Sequence, residues 1–341
     1  MSYPTSRRAV IELGLKTGGA LAVIGGFPAL VASAHAQSAW PSKPVRLLVP
    51  FAPGGSSEIV ARSAANELSK SLGQNVFVEN KPGASGNIAM NECATSTDGH
   101  TLILGHIGTF AVNPFIFDKL PFDTNRDFQA ISLLAKVPSL YVVNAEVPVK
   151  NLKEFIVLAK SRPGQLNYGS AGNGSAGHLA FEYLKMVSET FVLHVPYRGT
   201  GPQLTDLLAG RLDAASVGAP AILAHIKSGK LRCIATGTKE RLPQLPDVPT
   251  VAESGYPGFE MTQWYGLNAP ANMPPDAIAK LADACSKAMK NPVATERCGA
   301  TPPSRWVTHP PNMPVLSKPN RPGGSWWRRA PRSNQTKSDE A

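Results

Sequence analysis

The sequence predicts an α/β fold with mostly parallel sheets, and three observations predict it. Short apolar runs alternate with stretches of helical period along most of the chain. The junctions between them are rich in Gly, Ser and Pro. A length of 341 residues with 43% hydrophobic content is enough to bury two cores rather than one. Taken in order, residues 45–51 form an apolar strand that ends in a Pro/Gly turn. Residues 57–72 carry Ile59, Val60, Ala64 and Leu68 at helical spacing. Residues 75–79 are a strand, 85–94 a helix and 101–104 a strand. Two further strands are expected at 131–136 and 140–144. Residues 152–161 form a helix stopped by Pro163-Gly164. Strands follow at 166–169, 193–195, 214–217 and 231–236, with helices between them. Chain boundaries near 138–146 and near Pro257-Gly258 would make the central segment an inserted lobe.

The net charge of +10 invites a nucleic-acid partner, but its distribution argues against one. Residues 1–36 hold three Lys/Arg and one Asp/Glu, and residues 299–341 hold seven and two. The body, 37–298, keeps 24 against 21, a net +3. No basic stripe with interleaved aromatics runs through it. The first 36 residues have the form of an export signal: Arg7 and Arg8, an apolar run from about residue 18, then Ala34-His35-Ala36 as a small-x-small cleavage site. That run is short and broken by Gly25, Gly26 and Pro28, which disfavours a membrane anchor. Ser6-Arg7-Arg8 leaves twin-arginine export open beside the general route. The expected location is therefore the periplasm. The spacing of Cys93, Cys233, Cys285 and Cys298 fits no metal motif, and buried, unpaired thiols are expected.

Three strand-to-helix junctions could hold a ligand: Pro53-Gly54-Gly55-Ser56-Ser57, residues 170–178 from Ser170 to His178, and Tyr197-Arg198-Gly199-Thr200-Gly201-Pro202. A helix start offers unpaired N–H groups and a partial positive charge. Glycine lets an anion approach that backbone closely. Loops 81–87 and 105–109 add to the set. Arg198 could pair with a ligand carboxylate or hold a loop by an ion pair. His106 and His178 are read as capping or packing residues before ligand contacts, and Trp264 and Tyr265 as core. Glu58 sits in a helix's first turn, favourable for the dipole; the alternative is a contact to a ligand ammonium. No G-x-S-x-G elbow, P-loop, H-E-x-x-H or C-x-x-C is present. No catalytic residue, metal or cofactor is expected.

The chain resembles the Bug family, periplasmic receptors of tripartite tricarboxylate transport systems. The resemblance is carried by Trp40-Pro41-x-Lys43-Pro44-Val45-Arg46, Val49-Pro50-Phe51-x-Pro53-Gly54-Gly55 and Glu79-Asn80-Lys81-Pro82-Gly83-Ala84. It continues in Asp98-Gly99-His100-Thr101-Leu102, Tyr168-Gly169-Ser170-Ala171-Gly172, His194-Val195-Pro196-Tyr197-Arg198-Gly199 and Leu245-Pro246-Asp247-Val248-Pro249-Thr250. It implies a type II periplasmic-binding-protein-like clamp of two lobes, 37–139 plus 258–298 and 140–257, closing on a small carboxylate. It implies ligand contacts from Gly54, Gly55, Ser85, Gly86 and Thr109 in one lobe and Ser170, Gly172, Asn173 and Ser175 in the other, with Arg198 as a further candidate. The implied partners are the carboxylate and membrane transporter subunits or a sensor, around a monomer. The position of Glu58 is commonly Asp in that family, so a reshaped pocket is expected.

The last 43 residues depart from this pattern. They are proline-rich, carry Trp326-Trp327, and lack helical periodicity. Codons can be chosen for 297–327 whose shifted frame encodes a T-P-A-E capping start and apolar residues at helical spacing, as relatives have there. The stretch 299–341 is accordingly read as a frameshifted, unstructured tail. Two other functions stay open at this level: an envelope hydrolase or transferase using the same cleft, and a non-functional frameshifted paralogue.

Overall fold

The structure, a computed structural model, describes residues 40–288. The export signal with its cleavage site near Ala36, Cys298, the 289–298 end of the first lobe and the 299–341 tail lie outside the described residues.

The first strand, β1 (Val45–Val49), buries Val45, Leu47 and Val49 on one face and Leu48 on the other, where partly buried Arg46 pairs with Glu79 and Glu92. It pairs in parallel with β2 (Val76–Asn80) and β3 (Thr101–His106). Helix α1 (Ser56–Leu72) crosses between β1 and β2. It buries Val60, Ala61, Ala64, Ala65, Leu68 and Leu72 on one stripe and ends at Gly73, whose φ of 68° lets its N–H close onto the Ser69 carbonyl. Helix α2 (Asn87–Ala94) covers the opposite face with Ala89, Met90 and Cys93. A π-type turn (Ile107–Val112) leads from β3 into the short α3 (Asn113–Ile116).

Strand β4 (Phe128–Asn144) is one 17-residue strand, where the sequence suggested two. Pro138 falls between the two, and proline cannot donate to a ladder. It lies at the seam: Pro138 pairs with Thr262, the first residue of β9 (Thr262–Pro270), and Ser139 begins the pairing with β7 (Ala214–Gly218). One strand thus belongs to two sheet halves. Beyond it, β5 (Asn167–Ser170) pairs in parallel with β7 and with β6 (Leu193–Pro196), and β8 (Leu231–Thr236) pairs antiparallel with β4. The order is β2-β1-β3-β9-β4-β7-β5-β6, with β8 on β4. All pairings of β4 and β9 are antiparallel, so the sheet is mixed where simple alternation suggested mostly parallel pairing. The antiparallel share comes from the long connecting strands. The sequence reading assigned no strand at Thr262–Pro270.

Each half has its own core. In the first, α1 and α8 (Pro275–Ala288) pack Leu68, Ile278 and Leu281 onto Leu47, Leu102 and Leu267. In the second, α4 (Leu152–Ser161) and α5 (Ala176–Ser188) cover one face. Helices α6 (Thr200–Leu208) and α7 (Ala219–Lys227) cover the other. Tyr168 stacks on Phe181 at 4.1 Å between ring centres. Burying a side chain of this size contributes about 1.5–3 kcal/mol. Cys93, Cys233 and Cys285 are free and buried, and burial pushes the Cys233 and Cys285 thiols up to about 12. Among the described residues no helix is long and apolar enough to cross a membrane.

Candidate functional site

The two sheet halves meet along backbone so close that side chains would not fit. The Ala52 N–H donates to the Arg198 carbonyl at 3.1 Å. A Cβ on Gly199 would lie 2.6 Å from the Ala52 nitrogen, and one on Gly201 would collide with the Pro53 carbonyl oxygen. On a second side, a Cβ on Gly108 would lie 2.5 Å from the Gly174 carbonyl oxygen. At the back, where the chain crosses between halves, the Gly237 N–H donates to Ser139 O and the Met261 N–H to Gly237 O.

A cavity of about 360 Å³, measured out to its mouth, lies between the halves. The first half lines it with Phe51, Ser56, Ser57, His106, Gln263 and Tyr265. The second half lines it with Ala171, Ser175, Ala176, Gly177, Thr200, Gln203, Ser216, Val217 and Gly218. These residues include the starts of four helices: Ser56 and Ser57 open α1, Ser175 caps α5, Thr200 opens α6 and Gly218 caps α7. The helices have 17, 13, 9 and 9 residues, long enough for each start to carry unpaired N–H groups and a partial positive charge. No Lys, Arg, Asp or Glu lines the cavity. Its anion-binding potential is therefore carried by backbone.

His106 supplies the one titratable imidazole of this wall. It is buried, and its Nδ1 accepts the Gly108 N–H at 2.9 Å. Burial alone pulls its pKa down to about 3, so the ring is neutral with its proton on Nε2. His178 does the same for α5, accepting the Gly174 N–H at 3.1 Å. The Tyr265 hydroxyl donates to Gln263 Oε1 at 2.8 Å, and Ser56 Oγ donates to the Gly218 carbonyl across the halves at 3.2 Å. Ser216 Oγ, in contrast, is buried without a hydrogen-bond partner.

Of the ten residues expected to bind a ligand, Ser175 lies on the cavity wall. The other nine do not line it, for reasons visible in their contacts. The Gly54 N–H is taken by Glu58 Oε2 at 2.7 Å, and Gly55 packs its Cα side against Thr200. Ser85 has φ 54° and offers its carbonyl to Asn113, and Gly86 donates its N–H to Gly83 O. Thr109 donates to the His106 carbonyl. Ser170 donates to Gly172 O and receives the Gly172 N–H, with His194 Nε2 at 2.6 Å from its hydroxyl. Asn173 and the Arg198 side chain are exposed. Arg198 serves the site through its carbonyl instead. Glu58 also pairs with Arg62, so its carboxylate is committed within α1. Trp264 is half-buried and away from the cavity, whereas Tyr265 is both core and wall.

Gln203, Ser216 and Gly218 were not singled out by the sequence reading. The available clue for the last two was Gly218-Ala219-Pro220 directly after an apolar strand, a helix start with proline in its first turn. Among the described residues no group of His, Cys, Asp and Glu is arranged to hold a metal ion.

Comparison with known proteins gives a consistent set of likenesses. The profile of the family described as tripartite tricarboxylate transporter family receptor matches residues 60–301. Protein BugT of Bordetella pertussis is 36% identical over 289 residues, which is 83% of this chain and 89% of BugT. An R. palustris protein solved with adipate has a TM-score of 0.75 and 35% identity, covering 77% of this chain and 89% of that one. MatC from Rhodopseudomonas palustris, solved with bound malate, has a TM-score of 0.75 and 35% identity, covering 80% of this chain and 94% of that one.

Proposed function

The chain belongs to the tripartite tricarboxylate transporter receptor family, and from that premise we propose that it is an exported receptor that closes two lobes around a small carboxylate. The observation that carries the reading is the meeting of four helix N-termini at one cavity without a charged side chain. Such a wall holds an anion through N–H groups and hydroxyls, and it offers no residue pair for general acid–base or nucleophilic work. The bound adipate and malate of the two solved relatives support an acid of that size.

In this reading the lobes are 37–139 plus 258–298 and 140–257, and the hinge is the crossing at Ser139, Gly237 and Met261. Ligand that touches both walls favours the closed arrangement over the open one. Ser175 is a ligand contact, joined by Ser56, Ser57, His106 and Thr200. The loops of Gly54–Gly55, Ser85–Gly86, Thr109, Ser170–Asn173 and Arg198 shape the mouth and seams. The acid is then handed to a membrane transporter or sensor, and no turnover accompanies binding.

A thermal-shift and calorimetric panel on the protein tests this. It holds mono-, di- and tricarboxylates, acidic amino acids, aromatic acids and neutral sugars. Ligand at 100 times its dissociation constant adds about 2.7 kcal/mol, a rise in Tm of about 4 °C for a protein of this size. A rise confined to one class of acids is expected. A cooperative melt that no acid moves would overturn the reading.

A further inference from the structure

We infer that Ser216 is a specificity-determining residue of the cavity, its hydroxyl donating, beside the first turn of α5, to the second carboxylate of a ligand whose first carboxylate sits at the start of α1. The inference rests on the receptor reading above and goes beyond it in assigning one residue to the ligand's far end. Ser216 is on β7, 2% exposed, on the cavity wall, and its Oγ has no hydrogen-bond partner. Buried polar atoms without partners are rare, and each calls for a reason. Its ladder and strand neighbours do not supply a partner. Tyr141, opposite it in the β4–β7 ladder, gives its hydroxyl proton to the Ala180 carbonyl at 2.9 Å. Strand neighbours Ala215 and Val217 are apolar core.

What does lie next to it is the first turn of α5. A Cβ on Gly177 would collide with the Ser216 carbonyl oxygen, so the helix start rests directly on this residue. Ala176 and Gly177 line the same wall as Ser216, and first-turn N–H groups have no carbonyl four residues back. The Ser216 hydroxyl and these N–H groups form a wall of donors with no carboxylate among the lining residues. A donor wall of this kind takes an oxyanion, and the hydroxyl adds a bond that a helix start alone does not offer. Across the cavity, Ser56, Ser57 and the neutral His106 stand at the start of α1. A ligand with a carboxylate at each end fills both walls; a monocarboxylate of the same length seated at the α1 wall leaves Ser216 unpaired.

The test compares the wild-type protein with Ser216→Ala and Ser216→Cys by calorimetry, using malate and adipate and, as single-ended counterparts, butyrate and hexanoate. Ser216→Ala is expected to weaken the better dicarboxylate by about 10-fold or more and the monocarboxylates by less than about 2-fold. Ser216→Cys keeps a heteroatom in the hydroxyl's place, slightly larger and only a weak donor, and is expected to match Ser216→Ala. The ligand-free Tm of Ser216→Ala should hold or rise by about 1–3 °C, because the change removes an unpaired buried hydroxyl. Wild-type binding that survives both substitutions would overturn the inference and leave the receptor reading standing. An equal loss for single- and double-ended acids would also overturn it. A wild-type protein that binds none of the four probes and no other acid of the panel would overturn the receptor reading, and this inference with it.

Discussion

The two walls of the cavity are built differently. The first half presents one helix start and a set of side chains whose hydrogen bonds are closed within the protein: His106 Nδ1 on Gly108, Tyr265 on Gln263, Ser56 on Gly218. The second half presents three helix starts, at Ser175, Thr200 and Gly218, and a serine whose hydroxyl is unpaired. The first wall is a fixed neutral surface, and the second is a reserve of donors. The comparison teaches that affinity in such a site depends on bringing the walls together as much as on either wall. The seam that joins them is made of glycine and carbonyl groups, so it can be altered without touching a ligand contact.

The largest effect is expected there. Gly201 lies in the first turn of α6, and a Cβ would meet the Pro53 carbonyl of the other half. With the halves apart that methyl meets nothing from Pro53, and alanine is the better helix former by about 1 kcal/mol. Gly201→Ala should therefore leave the ligand-free melt unchanged or slightly higher. Closure should cost about 1–3 kcal/mol of overpacking, a loss of carboxylate affinity of about 5- to 150-fold. Calorimetry with the panel's best acid measures this. Unchanged affinity in Gly201→Ala would show that the seam does not govern binding.

Acid sharpens the comparison next, because the first half buries His106 on the cavity wall and the second half holds the partly buried His178 and His194 off it. Burial holds His106 and His194 at about 3, and His178 below its ordinary value. In the unfolded chain the same rings titrate near 6.5. Between these values the unfolded state binds more protons than the folded one, so stability rises with pH. The contribution is fully present above about pH 6.5 and is lost as pH falls toward 3. His106, 3% exposed, gives a slope of up to about 1.4 kcal/mol per pH unit in that window. Urea unfolding at pH 7, 6, 5 and 4 should show the decline, and His106→Gln should flatten it. A wild-type protein equally stable at pH 7 and pH 4 would contradict neutral burial of these rings.

The fold was largely legible because its signals are local. The spacing of Val60, Ala64 and Leu68 marks α1, and the Pro163-Gly164 stop marks the end of α4. Where a residue's role is set by distant partners, local reading gave out. The strands expected at 131–136 and 140–144 are one strand, which passes from β9 to β7 at Pro138 and Ser139. Thr262–Pro270 became a strand through its pairing with β3 and β4. The site shows the same division. Helix starts were recognisable from Gly and Ser, so loops that line the cavity were singled out. Which residues in each loop reach the cavity depends on tertiary contacts, such as Gly54 tied to Glu58 and Gly172 to Ser170. Ser216 had no sequence signal of its own. An apolar strand with one serine is ordinary until its partner, or the lack of one, is seen.

The smallest effect is expected at Glu58, and it bears on why the first wall is closed. The side chain reaches back from the third position of α1 to the Gly54 N–H, one half of a capping box displaced by one residue. It satisfies an N–H of the loop that precedes α1. Aspartate is one methylene shorter. Glu58→Asp should release the Gly54 N–H and shorten the reach to Arg62, lowering stability by about 0.5–1 kcal/mol. The freed donor lies at the mouth rather than on the wall, so affinity for the preferred acid should change by less than about 3-fold, while bulkier acids that extend to the mouth gain relative to it. The order of acids in the panel is the measurement. If Glu58→Asp raised affinity for the preferred acid by 10-fold or more, Gly54 would belong to the binding wall itself, and the contrast between a closed first wall and an open second one would have to be redrawn.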